Sequence, residues 1–112
     1  MSSIKRVEKP WGYEEIWAHT DKYVGKLLHI KKGCRLSLQY HEVKEETIYV
    51  LEGTLVLLTD KDRIDLNPGS VHHIPPGSMH RFTAGKDDVT LIEVSTPELD
   101  DIIRVEDDHG RV

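Results

Sequence analysis

Four side chains in this sequence have the types and spacing to hold a metal ion. Gln39 and His41 stand two residues apart in RLSLQYH, so in an extended chain both project from one face. Glu46 opens the next apolar run, ETIYVL, and shares a face with Ile48 and Val50. His80 follows a Pro-Gly corner in IPPGSMH. Neighbouring antiparallel strands would bring Gln39, His41 and Glu46 together, with His80 as a fourth donor. Two imidazole nitrogens, a carboxylate oxygen and a carboxamide oxygen suit a borderline divalent ion (Zn, Mn, Co, Ni or Fe(II)) better than Ca. Taken singly, His41 reads as a surface histidine and Glu46 as a solvated strand-end charge; the case for a metal lies in the set. Glu45 is the rival of Glu46, but it falls on the face of Thr47 and Tyr49 and reads as solvated.

The elements that must position these donors read as strands. Residues 35–41 alternate, with Leu36, Leu38 and Tyr40 on one face and Ser37, Gln39 and His41 on the other. Further strands are expected at residues 11–18, 23–31, 47–51, 54–59, 63–66, 71–74, 79–83 and 89–95. Residues 1–10 read as a polar arm ending at Pro10. Glu52-Gly53 reads as a tight hairpin turn, since glycine tolerates positive φ. Asp60-Lys61-Asp62, Asn67-Pro68-Gly69 and Pro75-Pro76-Gly77 mark further turns. Residues 98–105, in a tail running from 98 to 112, fit either a short helix or a last strand. No stretch has a convincing helical period. Many short strands between regular turns predict an all-β sandwich or small barrel.

Length and charge limit the function classes. The 112 residues suffice for one domain, 1–112. A net charge of -5 without a basic block gives no attraction to nucleic acid or an anionic membrane. The longest aliphatic run, Leu55 to Leu58, is far short of a membrane span. The single Cys34 excludes an internal disulfide and fits a reducing compartment; with no signal peptide in MSSIKRVEK, a soluble cytoplasmic protein is expected. Cys34 has no matched His or second Cys and is not a credible nucleophile. His72 and His73 adjoin the Pro-Gly corner, and only one can face inward from a strand. The Leu36, Leu38 and Tyr40 face and the doubly apolar 54–59 run predict a homodimer.

The spacing of Gly33, His41, Glu46 and Gly53, then Gly69, Pro75, Gly77 and His80, resembles the two sequence motifs of the cupin family. It departs where Gln39 replaces a first His and where Ala84 replaces an Asn. The resemblance implies a double-stranded β-helix, the cupin jelly-roll barrel. It also implies one metal, held by Gln39, His41, Glu46 and His80, and the step from Glu46 to Gly53 favours Glu46 over Glu45. The strings LSLQYH, EKPWG and DDIIRVEDDHGR are similar to those of type II mannose-6-phosphate isomerases (phosphomannose isomerases). There the cupin region often follows a sugar-nucleotide transferase domain, which this sequence does not include. Glu42, Val43 and Lys44 stand where those enzymes carry a His-His-Arg-like run.

That resemblance implies interconversion of mannose 6-phosphate and fructose 6-phosphate through an enediolate. Glu46, Lys44 or a water at the metal would move the proton, Arg104 would grip the phosphate ahead of Lys44, and Arg81 would point away. Two alternatives share the fold: a cupin oxygenase using Fe(II), and a non-catalytic metal-containing cupin that binds a sugar or small carboxylate.

Overall fold

The alternating runs fold as strands throughout. The computed structural model describes residues 4–112 and holds no helix among them. The strands are β1 (Lys5–Lys9), β2 (Gly12–His19), β3 (Val24–Ile30), β4 (Leu38–Tyr40), β5 (Glu46–Glu52), β6 (Leu55–Thr59), β7 (Arg63–Leu66), β8 (Val71–Ile74), β9 (His80–Ala84), β10 (Val89–Ser95) and β11 (Ile103–Glu106). They form two antiparallel sheets, ordered β1-β2-β3-β10-β5-β8 and β11-β4-β9-β6-β7. The fold is the all-β jelly roll, in one small domain. No described helix is long and apolar enough to cross a membrane.

Period-two alternation sets what the barrel contains. The six-stranded sheet sends in Leu28 and Ile30 from β3, Ile48 and Val50 from β5, and Val89 and Leu91 from β10. The five-stranded sheet answers with Leu55, Leu57, Phe82 and Ala84. Each large side chain so buried is worth roughly 1.5–3 kcal/mol. Further along the same inward rows the residues turn polar. Lys26 continues β3, Glu46 begins β5, Glu93 and Ser95 finish β10, and all four are buried. From the other sheet Gln39 and His80 lie directly opposite each other in register. The barrel thus has an apolar end and a polar end.

Three expectations are corrected and one open choice is resolved. Residues 5–9 of the expected arm form β1, which pairs with β2 from Lys5↔Ile16 to Lys9↔Gly12; residues 1–3 lie outside the described residues. The open choice at 98–105 resolves as strand from Ile103 onwards, with a turn before it. β11 pairs Ile103 with Tyr40 and Arg104 with Gln39, satisfying the edge of β4. Glu52-Gly53 is not a hairpin turn, because β5 and β6 belong to different sheets and the chain crosses between them there. Finally, β4 is only three residues long. Arg35 makes a single bridge to Thr83, and Leu36 turns into the core, its amide donating to the Phe82 carbonyl at 2.9 Å. The expected outer face of Leu36, Leu38 and Tyr40 therefore loses Leu36. A different apolar row crosses the outside of the six-stranded sheet: Leu27, Ile92, Tyr49 and Val71 are register neighbours, and Tyr49 and Val71 are exposed.

Gly53 and Gly33 both have φ of +76°, but a Cβ on Gly53 would lie 2.2 Å from the Asp88 carbonyl oxygen, while one on Gly33 meets nothing within 4 Å. Gly33→Ala should therefore cost only the left-handed backbone term, about 1–2 kcal/mol. Gly53→Ala should cost clearly more, because backbone must also move. Urea unfolding of the two variants checks the order, and equal losses would contradict it.

Candidate metal centre

Residues from two strands and the loop after β4 converge at the polar end. His41 follows β4, Glu46 opens β5 and His80 opens β9; all three are about 98–99% buried. One potential ligand atom from each lies within 4.8 Å of the others. Both histidines are oriented from behind. His41 Nδ1 donates to the Asp101 carbonyl, and His80 Nδ1 donates to the Ser78 carbonyl at 2.9 Å. A carbonyl can only accept, so each Nδ1 carries the proton and each Nε2 presents its lone pair inward. These Nε2 atoms lie 3.5 and 3.3 Å from Glu46 Oε1, and neither has a hydrogen-bond partner. Three buried acceptor atoms converging on one point fit a divalent cation.

The remaining candidates surround this point. Gln39 is buried and lines the same cavity, its Oε1 accepting from Ser37 Oγ at 3.3 Å. Lys44 is buried with its Nζ 3.2 Å from Glu46 Oε2 and 3.1 Å from Glu93 Oε2. Burial works to lower the Lys44 pKa, but the Glu93 and Glu46 carboxylates outweigh it and hold the ammonium charged. Burial likewise works against ionised Glu46, yet the charge of Lys44 beside it keeps its carboxyl well below the usual range. Arg104 reaches the cavity from β11, and its buried Nε has no partner. Arg81 faces away from the cavity, donating from Nε to the Leu36 carbonyl at 2.8 Å. Glu45 is exposed and pairs with His73 at 2.6 Å. His72 is half-buried, and burial lowers its pKa.

Sequence reasoning missed three parts of this site. Glu93 lines the cavity, and burial, with the Glu46 carboxylate, pushes its carboxyl up to about 7. Lys26 and Glu14 line it too, paired at 3.5 Å. The signal was available: Lys26 is in phase with Val24, Leu28 and Ile30, and Glu93 with Val89 and Leu91, so each charge sits on an otherwise apolar inward row. Asp101 is the third. Its carboxylate accepts from the amides of Glu42, Val43 and Lys44 at 3.0, 2.7 and 2.8 Å, while its carbonyl holds His41. No periodic pattern marks such a loop residue.

Comparison with known proteins gives the family. The family model described as mannose-6-phosphate isomerase C-terminal matches residues 1–107. The chain belongs to this family. It is 37% identical over 113 residues to the mannose-1-phosphate guanylyltransferase of Escherichia coli, covering 96% of this chain and 23% of that protein. It is 37% identical over 68 residues to quercetin 2,3-dioxygenase of Bacillus subtilis, covering 61% of this chain and 20% of that one. The chain thus spans about a fifth to a quarter of the length of these curated relatives. The solved structure of KdgF from a Halomonas species superposes with a TM-score of 0.78 at 24% identity, over 89% of this chain and 92% of that one, which shows the shared fold.

Amide donation from the 42–44 loop holds the Asp101 carboxyl down at about 2, against an ordinary 3.8. A depressed carboxyl adds stability that is present above its unfolded value and lost as pH falls through its folded one. The melting-temperature gap between the native chain and Asp101→Asn should therefore be full above about pH 4.5 and narrow as pH falls from 3.8 towards 2. A gap independent of pH across that window would contradict the capping role.

Proposed function

We propose that this chain is a metal-dependent sugar-phosphate isomerase that interconverts mannose 6-phosphate and fructose 6-phosphate. The reading is carried by the convergence of His41 Nε2, His80 Nε2 and Glu46 Oε1 in a chain of the mannose-6-phosphate isomerase C-terminal family. His41, Glu46 and His80, with Gln39 as fourth donor, would hold one divalent ion: Zn, Mn, Co, Ni or Fe(II). When bound, that ion supplies Lewis acidity, polarising a carbonyl and stabilising the oxyanion that develops there.

The chain's own residues bind, orient and move the proton. The chemistry shifts a proton between C2 and C1 of the open-chain sugar through an enediolate. Lys44, kept charged between Glu46 and Glu93, donates hydrogen bonds to sugar oxygens. Glu46 and Glu93 are the carboxylates on the cavity wall within reach of the reacting carbons, and one of this pair moves the proton. Arg104 offers its guanidinium to the remote phosphate. Leu36, Phe82 and Ile102 supply apolar wall that limits water. The lone thiol of Cys34 supports a reducing, cytoplasmic setting, and the outer row of Leu27, Ile92, Tyr49 and Val71 supports a homodimer.

One observation favours a second reading. The cavity measures about 50 Å³, room for an ion and a water or two, whereas pockets for larger ligands run to roughly 300 Å³ and more. A hexose phosphate needs the long Lys and Arg side chains at the mouth to swing aside. A small anion bound without turnover does not, and that would make the chain a binding module.

Metal analysis tests the first part. His41→Ala and His80→Ala should each lose most of the bound metal, since losing one strong donor also leaves the others poorly held. Full retention in both places the ion elsewhere.

Kinetics test the second. Gln39→Ala should lower kcat more than it raises KM, because its contact counts most where charge develops. Arg104→Ala should raise KM about tenfold or more, the worth of a charged hydrogen bond. Absence of turnover with Zn, Mn, Co or Ni across hexose and pentose phosphates favours the binding module, and oxygen uptake with Fe(II) favours an oxygenase.

A further inference from the structure

The same cavity carries a second group of charges that the metal and the proton transfer do not use. Lys26 is 6% exposed, and its Nζ lies 3.5 Å from Glu14 Oε2. Lys9 approaches the other oxygen of the same carboxylate at 3.9 Å, with its side chain 26% exposed. Two ammonium groups thus share one carboxylate inside a pocket. Arg104, on the same wall, brings a guanidinium whose buried Nε has no partner. Arg111 lines the pocket as well, but Asp107 neutralises it through contacts at 2.7 and 2.9 Å.

The charges divide into an inner and an outer set. Around the convergent histidines, Lys44 is matched by Glu46 and Glu93. In the outer set Lys9 and Lys26 approach the carboxylate of Glu14, and Arg104 shares the pocket wall. Across both sets the four cations Lys9, Lys26, Lys44 and Arg104 stand against the three carboxylates of Glu14, Glu46 and Glu93, so one positive charge is left over. A cation this buried is costly unless an anion balances it. A phosphate monoester, carrying between -1.5 and -2 near neutral pH, supplies the negative charge that balances it. The three cations also come from separate parts of the chain: Lys9 from β1, Lys26 from β3, Arg104 from β11.

We infer that Lys9 and Lys26, positioned by Glu14, form with Arg104 a clamp for a ligand phosphate dianion. The inference deepens the isomerase reading and rests on it for the sugar, but not for the anion. Glu14 acts as a positioning residue. It keeps the two ammonium groups aligned in the free protein and competes weakly with the incoming phosphate. The phosphate displaces the long side chains that now narrow the cavity, so the clamp and the cavity's small volume have one cause.

Calorimetric titration of the purified protein with mannose 6-phosphate, mannose and inorganic phosphate tests the clamp. The native chain should bind mannose 6-phosphate at least tenfold more tightly than mannose. Lys9→Met and Lys26→Met should each weaken mannose 6-phosphate and inorganic phosphate by roughly tenfold to a hundredfold, the range for a lost charged hydrogen bond. Mannose binding should be unchanged. Glu14→Gln should bind phosphate as well as the native chain or better, whereas a merely structural Glu14 would weaken all ligands alike. Lys61→Met, in the exposed turn between β6 and β7, serves as the unaffected control. If Lys26→Met melts too low to titrate, the half-exposed Lys9→Met decides alone. Unaltered phosphate affinity in Lys9→Met, or equal native affinity for mannose and its phosphate, overturns the clamp. Phosphate binding lost in Lys9→Met without any native turnover keeps the clamp and removes the isomerase. Turnover with an unchanged KM in Lys9→Met does the reverse.

Discussion

A carboxylate that is 2% exposed dictates the arrangement of this barrel's polar end. Glu46 has left water and has to be balanced by positive charge and by donors. Lys44 balances one oxygen at 3.2 Å. The other oxygen faces two imidazole nitrogens that their own backbone partners have made acceptors. Acceptors facing an anion repel, so the group is stable only with a cation among them or with protons on the rings. Metal affinity and proton affinity at this point are therefore competing answers to one electrostatic demand.

That demand propagates outwards through backbone. His41 keeps its tautomer because Asp101 supplies a carbonyl, and Asp101 keeps its place because three loop amides hold its carboxylate. The tail then continues into β11, whose register sets Arg104 against Gln39. Arg35 fastens the far end of the tail to Asp108 with contacts of 2.6 and 2.8 Å. The segment beyond β10 is thus part of the site wall. Losing it would disorient a histidine as well as remove an arginine.

The fold was legible because the strands alternate and the turns carry Gly and Pro; the 63–66, 71–74 and 89–95 strands emerge with the bounds the sequence predicts. Sheet membership was not legible. Glu52-Gly53 has the local chemistry of a hairpin, and nothing nearby records that β5 pairs with β10 and β8 instead. Leu36 fits the outward phase of its run, yet the strand does not become regular until Leu38, and the chain turns it inward. Of the site, the histidines and Glu46 were legible from type and spacing. Lys26 and Glu93 were hidden by habit: a charge in a strand is read as solvated, although their phase with apolar neighbours said otherwise. Glu14 could be placed only once the β2–β3 register was known.

The division between apolar and polar ends explains how so small a domain tolerates this many buried charges. Along β5, β9 and β10 the inward row is apolar towards one end of the barrel and polar towards the other, so hydrophobic burial and charge burial are largely separated along the strands rather than mixed. Phe82 stands at the boundary, its ring 5.6 Å from that of His80 and its flank against the aliphatic core. Water excluded on one side lowers the effective dielectric on the other, which strengthens every interaction among Glu46, Lys44 and the histidines. The same exclusion makes any unmatched charge there expensive. A site assembled in this way is rigid where the chemistry needs fixed donors. It is adaptable only at its mouth, where Lys9 and Arg104 keep partial contact with solvent and can move to admit a ligand.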